Sequence, residues 1–234
     1  MKKCLVAVLF AASFCRLGLS EDTAKIDARI DAAHAVLREL MNTPDKGLPL
    51  DIVSHATCVL VVPAFKKGAF IVGGEYGQGV ATCRTRSGRW SAPAFIQLEG
   101  GSFGFQIGGQ STDLVLIGTN HRALDDLLKE KVKLGGDAAV AAGPVGRNAQ
   151  AATTELANAE FLTYSRSRGL FAGIDLNGDV VHQNRADTEA VYGHDIPFQR
   201  ILSGAVPTPP AAARFVATVN QLFRRGEVHR AADK

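Results

Sequence analysis

The chain has 234 residues, of which 46% are hydrophobic and 21% charged, and its formal net charge at pH 7 is +3. This is enough material for a substantial core in one large domain or two small ones. Beyond the N-terminal segment no long apolar stretch occurs, so the sequence predicts no membrane-spanning helix after processing.

Residues 1–20 are predicted to be a signal peptide. A basic start is followed by an apolar run from Cys4 to Cys15 that is too short to span a bilayer, and Gly18-Leu19-Ser20 offers the small residues of a signal-peptidase site. We expect cleavage after Ser20, in the manner of a bacterial export signal, and a periplasmic or envelope-associated protein of residues 21–234. Cys15 leaves open a lipoprotein with an acylated N-terminal cysteine, although the preceding Phe14 is larger than is usual there.

Removal of the signal peptide makes the chain formally neutral. Lys2, Lys3 and Arg16 leave with it and no acid does, so 23 basic and 23 acidic residues remain. Bulk charge therefore gives no argument for binding to nucleic acid, and any anionic partner must be held by local clusters.

Three amphipathic helices are predicted. Apolar residues recur at helical spacing over Asp22–Met41, Asn120–Val132 and Ala211–Phe223, and the tail from Arg224 is predicted to fray. A shorter helix is expected within Leu48–Ala56.

The longest strand-like stretch is Phe70–Gly109, in which apolar and aromatic residues alternate with small or polar ones and glycines interrupt repeatedly. Glycines recur where a sheet bulges or bends, so we expect strong curvature. Cys58–Pro63 is predicted as a buried strand ending in a turn at Ala64–Gly68. Asn177-Gly178 predicts a hairpin, and the remaining strands are Thr112–Ile117, Glu160–Arg166, Gly169–Asp175 and Val180–Val181. The expected fold is α+β: a strongly curved, barrel-like antiparallel β-sheet packed with about three amphipathic helices in a single domain.

The two cysteines of the mature chain, Cys58 and Cys83, both lie in strand-like runs. A disulfide is chemically allowed in an exported protein, but two buried free thiols are the simpler interpretation of the pattern.

Catalytic and metal-binding signatures are scarce. No common hydrolase, zinc or phosphate-loop motif occurs, and the histidines show no metal-ligand spacing, so we expect no enzyme activity, metal or cofactor. An enzyme with a dispersed site remains an alternative, for instance one built from Glu75, Tyr76, His182 and Asp195.

Local basic clusters are more suggestive. Lys66 and Lys67 precede Arg84, Arg86 and Arg89, and further along the chain come Arg147, Arg166 and Arg168. Such clusters can bind lipid phosphates, although solvated sheet faces also look like this.

Five blocks of the sequence resemble the SYLF domain family, in the order in which that family carries them. They are Gly73–Val80, Trp90–Pro93, Gly104–Gln110, Ala142–Arg147 and Tyr164–Gly173. The resemblance implies a lipid-binding domain, and eukaryotic members bind phosphoinositides and in some cases actin through a basic N-terminal segment. The corresponding helix here, Asp22–Met41, carries more acids than bases, so the retained expectation is binding of anionic phospholipid or another amphiphile.

The leading hypothesis is a non-catalytic, peripheral lipid-binding protein of the bacterial envelope, with headgroup contacts from Lys66, Lys67, Arg147, Arg166 and Arg168. The first alternative is a protein-interaction module with a partner in the envelope.

Overall fold

The computed structural model describes residues 22–40, 48–129, 131–145, 158–167 and 170–232, without the side chains of 50, 69–72, 102–109 and 225–232. These residues form the expected α+β fold, with a strongly curled half-barrel sheet and helices of which several are short. Seven strands of one sheet are found in this part of the chain.

The strands are, in order, β1 (Cys58–Cys83), β2 (Ala94–Gly118), β3 (Lys131–Lys133), β4 (Val140–Ala142), β5 (Phe161–Ser167), β6 (Leu170–Gly173) and β7 (Val180–Gln183). The helices are α1 (22–40), α2 (Leu50–His55), α3 (His121–Leu127), α4 (Arg185–Tyr192), α5 (Phe198–Leu202) and α6 (Ala213–Ala232). A 3-10 turn, Pro210–Ala212, leads into α6.

The sheet is organised around one long antiparallel ribbon of β1 and β2. Their pairing runs from Cys58 opposite Gly118 to Ala81 opposite Ala94. On its other edge β2 pairs with β7 near its start and with β5 near its end, so β2 is the central strand.

Strand β1 curls until its end meets its own beginning. Cys58 and Cys83 form a disulfide with their Cα atoms 4.0 Å apart, and the amide of Arg84 donates to the carbonyl of Thr57 at 2.7 Å. At the crossing, a Cβ on Gly79 would lie 2.1 Å from the carbonyl oxygen of Val61. The ribbon closes because glycine allows this backbone approach.

Both faces of the ribbon are buried. Val59 and Val61 belong to the apolar cluster that includes α1 and α6. The alternating residues Leu60 and Val62 belong to the cluster that includes α3 and α5. Because successive strand residues point to opposite faces, burial on both sides explains the unbroken apolar run of this segment.

Helix α1 is confirmed, and its predicted apolar stripe is buried against the sheet: Ile26, Ile30, Ala33, Leu37 and Leu40. Two side-chain networks attach it to the rest of the fold. Arg29 contacts Asp187 of α4 and Gln78 of β1. Glu39 contacts Arg166 of β5.

The predicted turn at Ala64–Gly68 and the predicted strand pairing across Asn177-Gly178 were both wrong. The chain does not turn at Ala64–Gly68, because β1 continues through a bulge in which Ala64 has φ +50° and donates its amide to Asp113. Asn177-Gly178 does form a turn, with Gly178 at φ +96°, but the strands on either side of it do not pair. β6 pairs with β5, and β7 with β2 and β3.

Two predicted helix ends were also wrong. The helix expected over Asn120–Val132 ends at Leu127, because Lys131–Lys133 alternates exposed and buried and pairs with β7 as a strand. The last helix does not fray from Arg224 but continues to Ala232. Helices α4 and α5 had no sequence prediction.

Substitution of Gly79 tests the self-crossing of β1. We expect Gly79→Ala to lower the free energy of unfolding by roughly 1–3 kcal/mol, as overpacking does, because the new methyl would meet the backbone of Val61 and Val62, which cannot rotate away. The control is Gly74→Ala on the same strand, where a Cβ meets nothing within 4 Å. Urea unfolding measures both. Equal stability of the two variants would contradict the crossing.

Candidate functional site

Three of the five cations predicted to contact lipid lie in the described chain, and two of these three are paired with carboxylates. Lys66 is exposed on β1 and has no carboxylate partner among the described residues. The ammonium of Lys67 lies 2.8 Å from the buried Glu75 carboxylate and 5.7 Å from the ring centroid of Phe65. Arg147 and Arg168 lie outside the described residues.

Arg166 connects secondary-structure elements. One nitrogen of its guanidinium is 2.7 Å from Asp113 of β2, and the other contacts Glu39 of α1. Two carboxylates already compete for this cation, so a headgroup contact would have to displace at least one of them. The contact of these residues with lipid stays a prediction.

A large open groove lies where the two ends of β1 meet. Its volume is about 1550 Å³. We call it the basic groove, and it is lined by residues 54–57, 84–92, 119–121, 124, 125, 128 and 202–208. The first two segments flank the beginning and end of β1, so the closure of the ribbon is what brings these two walls together.

Arg84 braces one wall of the basic groove. Its Nε donates to the carbonyl of Ala56 at 3.0 Å, and its guanidinium lies 5.0 Å from the ring centroid of Trp90. A guanidinium above an aromatic face is a favourable cation–π arrangement. Arg84 therefore fixes the wall as well as contributing positive charge.

Arg86 and Arg89 lie in the tight turn between β1 and β2. Gly88 has φ +78° there, and Thr85 holds the turn by receiving the amide of Gly88 at 2.9 Å and donating its own amide to Arg89 at 2.8 Å. Both arginines are exposed, and among the described residues neither contacts a carboxylate. They are cations available to a partner.

The floor of the basic groove is largely apolar. Trp90 is only 7% exposed and packs on Phe223 of α6 with ring centroids 4.7 Å apart. Ala92, Leu124 and Val206, which belong to the apolar cluster on the other face of the ribbon, also line the groove. The groove thus combines an apolar floor with a cationic rim.

In the described chain, no hydrogen bond or ion pair joins the four side chains suggested for a dispersed catalytic site. Glu75 is buried beside Lys67, whereas Tyr76, the next residue of the strand, is 43% exposed. His182 lies 3.6 Å from Glu99, and Asp195 pairs with Arg185. None of the four lines the basic groove.

Ser54 and His55 line the groove and lie close to Asp51, but not as a catalytic triad. Ser54 Oγ is 3.0 Å from His55 Nδ1, and Asp51 Oδ1 is 3.3 Å from the same nitrogen. A triad needs the serine and the acid on different ring nitrogens. Within the described chain, no three metal-ligating side chains cluster and no helix is long and apolar enough to cross a membrane.

A buried acidic pair, Asp179 and Glu75, lies within the ribbon, where Glu75 is opposite Gly100. Asp179 is 4% exposed and its Oδ2 has no hydrogen-bond partner among the described residues. Its other oxygen occupies space left by Gly100, where a Cβ would lie 1.6 Å away. Burial above all, and then the negative charge of Glu75, raises the pKa of Asp179 to about 7, although the positive charge of Lys67 opposes the rise.

This pKa predicts a pH-dependent stability. Because the folded state holds the proton of Asp179 more tightly than the unfolded state, the contribution of Asp179 to stability falls as pH rises from about 4 to about 7 and then levels off. Asp179→Asn cannot ionise, so its stability relative to the wild type should improve over that window. Thermal unfolding across about pH 4–8 measures this, with Asp31→Asn on the exposed face of α1 as control. A relative stability that falls with pH would contradict the assignment.

Arg86 and Arg89 belong to the basic clusters seen in the sequence but were not among the residues predicted to contact lipid. Their signal was present in the segment Arg84–Trp90, where three arginines surround a glycine and precede a tryptophan. Which of the chain's cations are paired with acids depends on tertiary contacts and carried no sequence signal.

Comparison with known proteins identifies the family. The Ysc84 family, described as "Las17-binding protein actin regulator", matches residues 99–222. SH3 domain-containing YSC84-like protein 1 of Rattus norvegicus is 35% identical over 83% of the chain, and its Homo sapiens counterpart is 36% identical over 77%. LAS seventeen-binding protein 3 of Saccharomyces cerevisiae is 34% identical over 77%.

The chain spans 59%, 54% and 38% of these three relatives, respectively. The similarity therefore concerns a shared domain and not the whole of each relative. The family match covers more than half of the chain, and the resemblance seen in the sequence points to the same family. The chain belongs to the Ysc84 (SYLF) family.

Proposed function

We propose that the chain is a non-catalytic interaction module that recruits a protein partner through the basic groove. The observation that carries the proposal is the groove itself. Its volume of about 1550 Å³ exceeds the roughly 300–1,000 Å³ of small-molecule pockets. An apolar centre with a polar rim is the usual anatomy of a protein–protein contact.

The family supports the same reading. The family description and the name of the yeast relative both refer to binding of Las17, a protein partner. Since the chain spans 38% of that relative, the partner of this chain is not inherited from the name. The shared domain makes protein recruitment the better-supported class of function.

Photo-crosslinking from inside the groove tests the proposal. With a photoreactive amino acid at Ala205, which is exposed on the groove wall, we expect a defined adduct with one partner in cells that produce the protein. The same amino acid at Ala190, exposed on α4 and away from the groove, is the control and should give no such adduct.

Competition makes the result specific to the groove. Excess unlabelled wild-type protein should abolish the adduct, whereas excess Ala205→Trp should not, because its indole would fill part of the groove. An adduct of equal strength at both positions, or one that both competitors remove equally, would contradict docking in the groove.

A second candidate function is binding of anionic phospholipid at a membrane surface. It is favoured by Lys66, which is exposed and lacks a carboxylate partner in the described chain. The proposed export signal would bring this surface to the envelope as a peripheral protein. Clustered cations near a membrane each contribute about 1 kcal/mol of attraction to anionic lipid.

Co-sedimentation with vesicles tests this candidate. We expect binding to phosphatidylglycerol vesicles but not to phosphatidylcholine vesicles, loss of binding at high salt, and weakening by Lys66→Glu. Lys131→Glu, on exposed β3, is the matched control. Binding that is equal on neutral and anionic vesicles would rule out the electrostatic mechanism.

A further inference from the structure

We propose that the basic groove takes an acidic, extended peptide segment whose carboxylates contact Arg86 and Arg89 while an apolar side chain rests on the floor beside Trp90. This inference rests on the proposed function and names the chemistry of its partner.

The charge of the lining selects for acid. Arg84, Arg86 and Arg89 contribute three cations, and Asp125 is the acid among the lining residues. A guanidinium can hold a carboxylate through two parallel hydrogen bonds, and such charge-assisted bonds are the strong ones. His55 and His121 on the rim add ring nitrogens that can donate hydrogen bonds.

The shape of the groove selects for a chain and not for a flat surface. Trp90 is 7% exposed and Ala92 2%, whereas Arg86 and Arg89 are exposed, so the arginines extend further into solvent than the apolar floor. A planar bilayer could meet the rim without reaching the floor. An extended peptide can place alternate side chains on rim and floor, since successive residues point in opposite directions.

The lining segment 202–208, in which Gly204 lies beside Thr85, also offers backbone groups to such a chain. Residues 205–209 form an irregular segment between α5 and α6, interrupted by Pro207 and Pro209. Among the described residues, the amides of Val206 and Thr208 have no hydrogen-bond partner, and Thr208 is exposed. An extended peptide beside this segment would give these two donors a hydrogen-bond partner.

Fluorescence anisotropy with a short labelled peptide tests the inference. The probe has glutamates flanking a central leucine, and the comparison probe has glutamines in their place. We expect the glutamate probe to bind the wild-type protein and to lose on the order of tenfold or more in affinity with Arg86→Ser/Arg89→Ser, because hydrogen bonds to charged groups are lost. The glutamine probe should bind the wild-type protein about as weakly as the glutamate probe binds the double variant, and salt should weaken the complex with the glutamate probe.

The control variant is Arg38→Ser/Arg214→Ser, which removes two exposed arginines from α1 and α6 outside the groove and should leave the affinity unchanged. Circular dichroism checks that each variant folds. Equal binding of the two probes would overturn the inference. The inference would also be overturned if neither probe bound while Arg86 and Arg89 were required for binding to phosphatidylglycerol vesicles. That outcome would assign the groove to lipid.

The crosslinking experiment separates this inference from the function on which it rests. If Arg86→Ser/Arg89→Ser competes for the Ala205 adduct as well as wild type does, while Ala205→Trp does not, the groove recruits a partner but not by its acidity. If Ala205→Trp competes as well as wild type does, docking in the groove itself fails.

Discussion

The close approach of β1 to its own beginning is the constraint on which the rest of the structure depends. A ribbon of two strands with 26 and 25 residues would leave long exposed edges if it stayed flat. Curling until Gly79 touches the backbone of Val61 removes much of that exposure. The disulfide between Cys58 and Cys83 holds the two ends together. Since residues flanking both ends line the basic groove, the candidate site is a consequence of this closure.

The described cations divide into those that are paired with acids and stabilise the fold, and those that are exposed and available to a partner. Arg29 and Arg166 attach α1 to α4 and the sheet, and Lys67 compensates the buried Glu75. Arg86 and Arg89, in contrast, project from a turn that the backbone already stabilises. A partner can therefore bind them without breaking a contact that the fold needs, which favours the turn over the paired cations as a binding surface.

The sequence was most informative where a single local pattern decided the structure. The spacing of apolar residues identified α1, and the glycines of Phe70–Gly109 indicated a curved sheet. The sequence-based predictions were wrong where residues distant in the sequence determine the local structure. Lys131–Lys133 is a strand because it pairs with β7. The turn at Asn177-Gly178 lies between β6 and β7, which pair with other strands and not with each other. The pairing of Arg166 with Asp113 and Glu39, which lie 53 and 127 residues away along the chain, belongs to the same class.

The meeting of the two ends of β1 can be tested directly by peptide mapping of the folded, oxidised protein. The protein is alkylated without reductant, digested and analysed by mass spectrometry. The account predicts one linked pair of peptides carrying Cys58 and Cys83, which separates on reduction, because only a strand that returns on itself brings these residues within disulfide reach. Alkylation of both cysteines in the unreduced protein would contradict the closure and with it the construction of the basic groove.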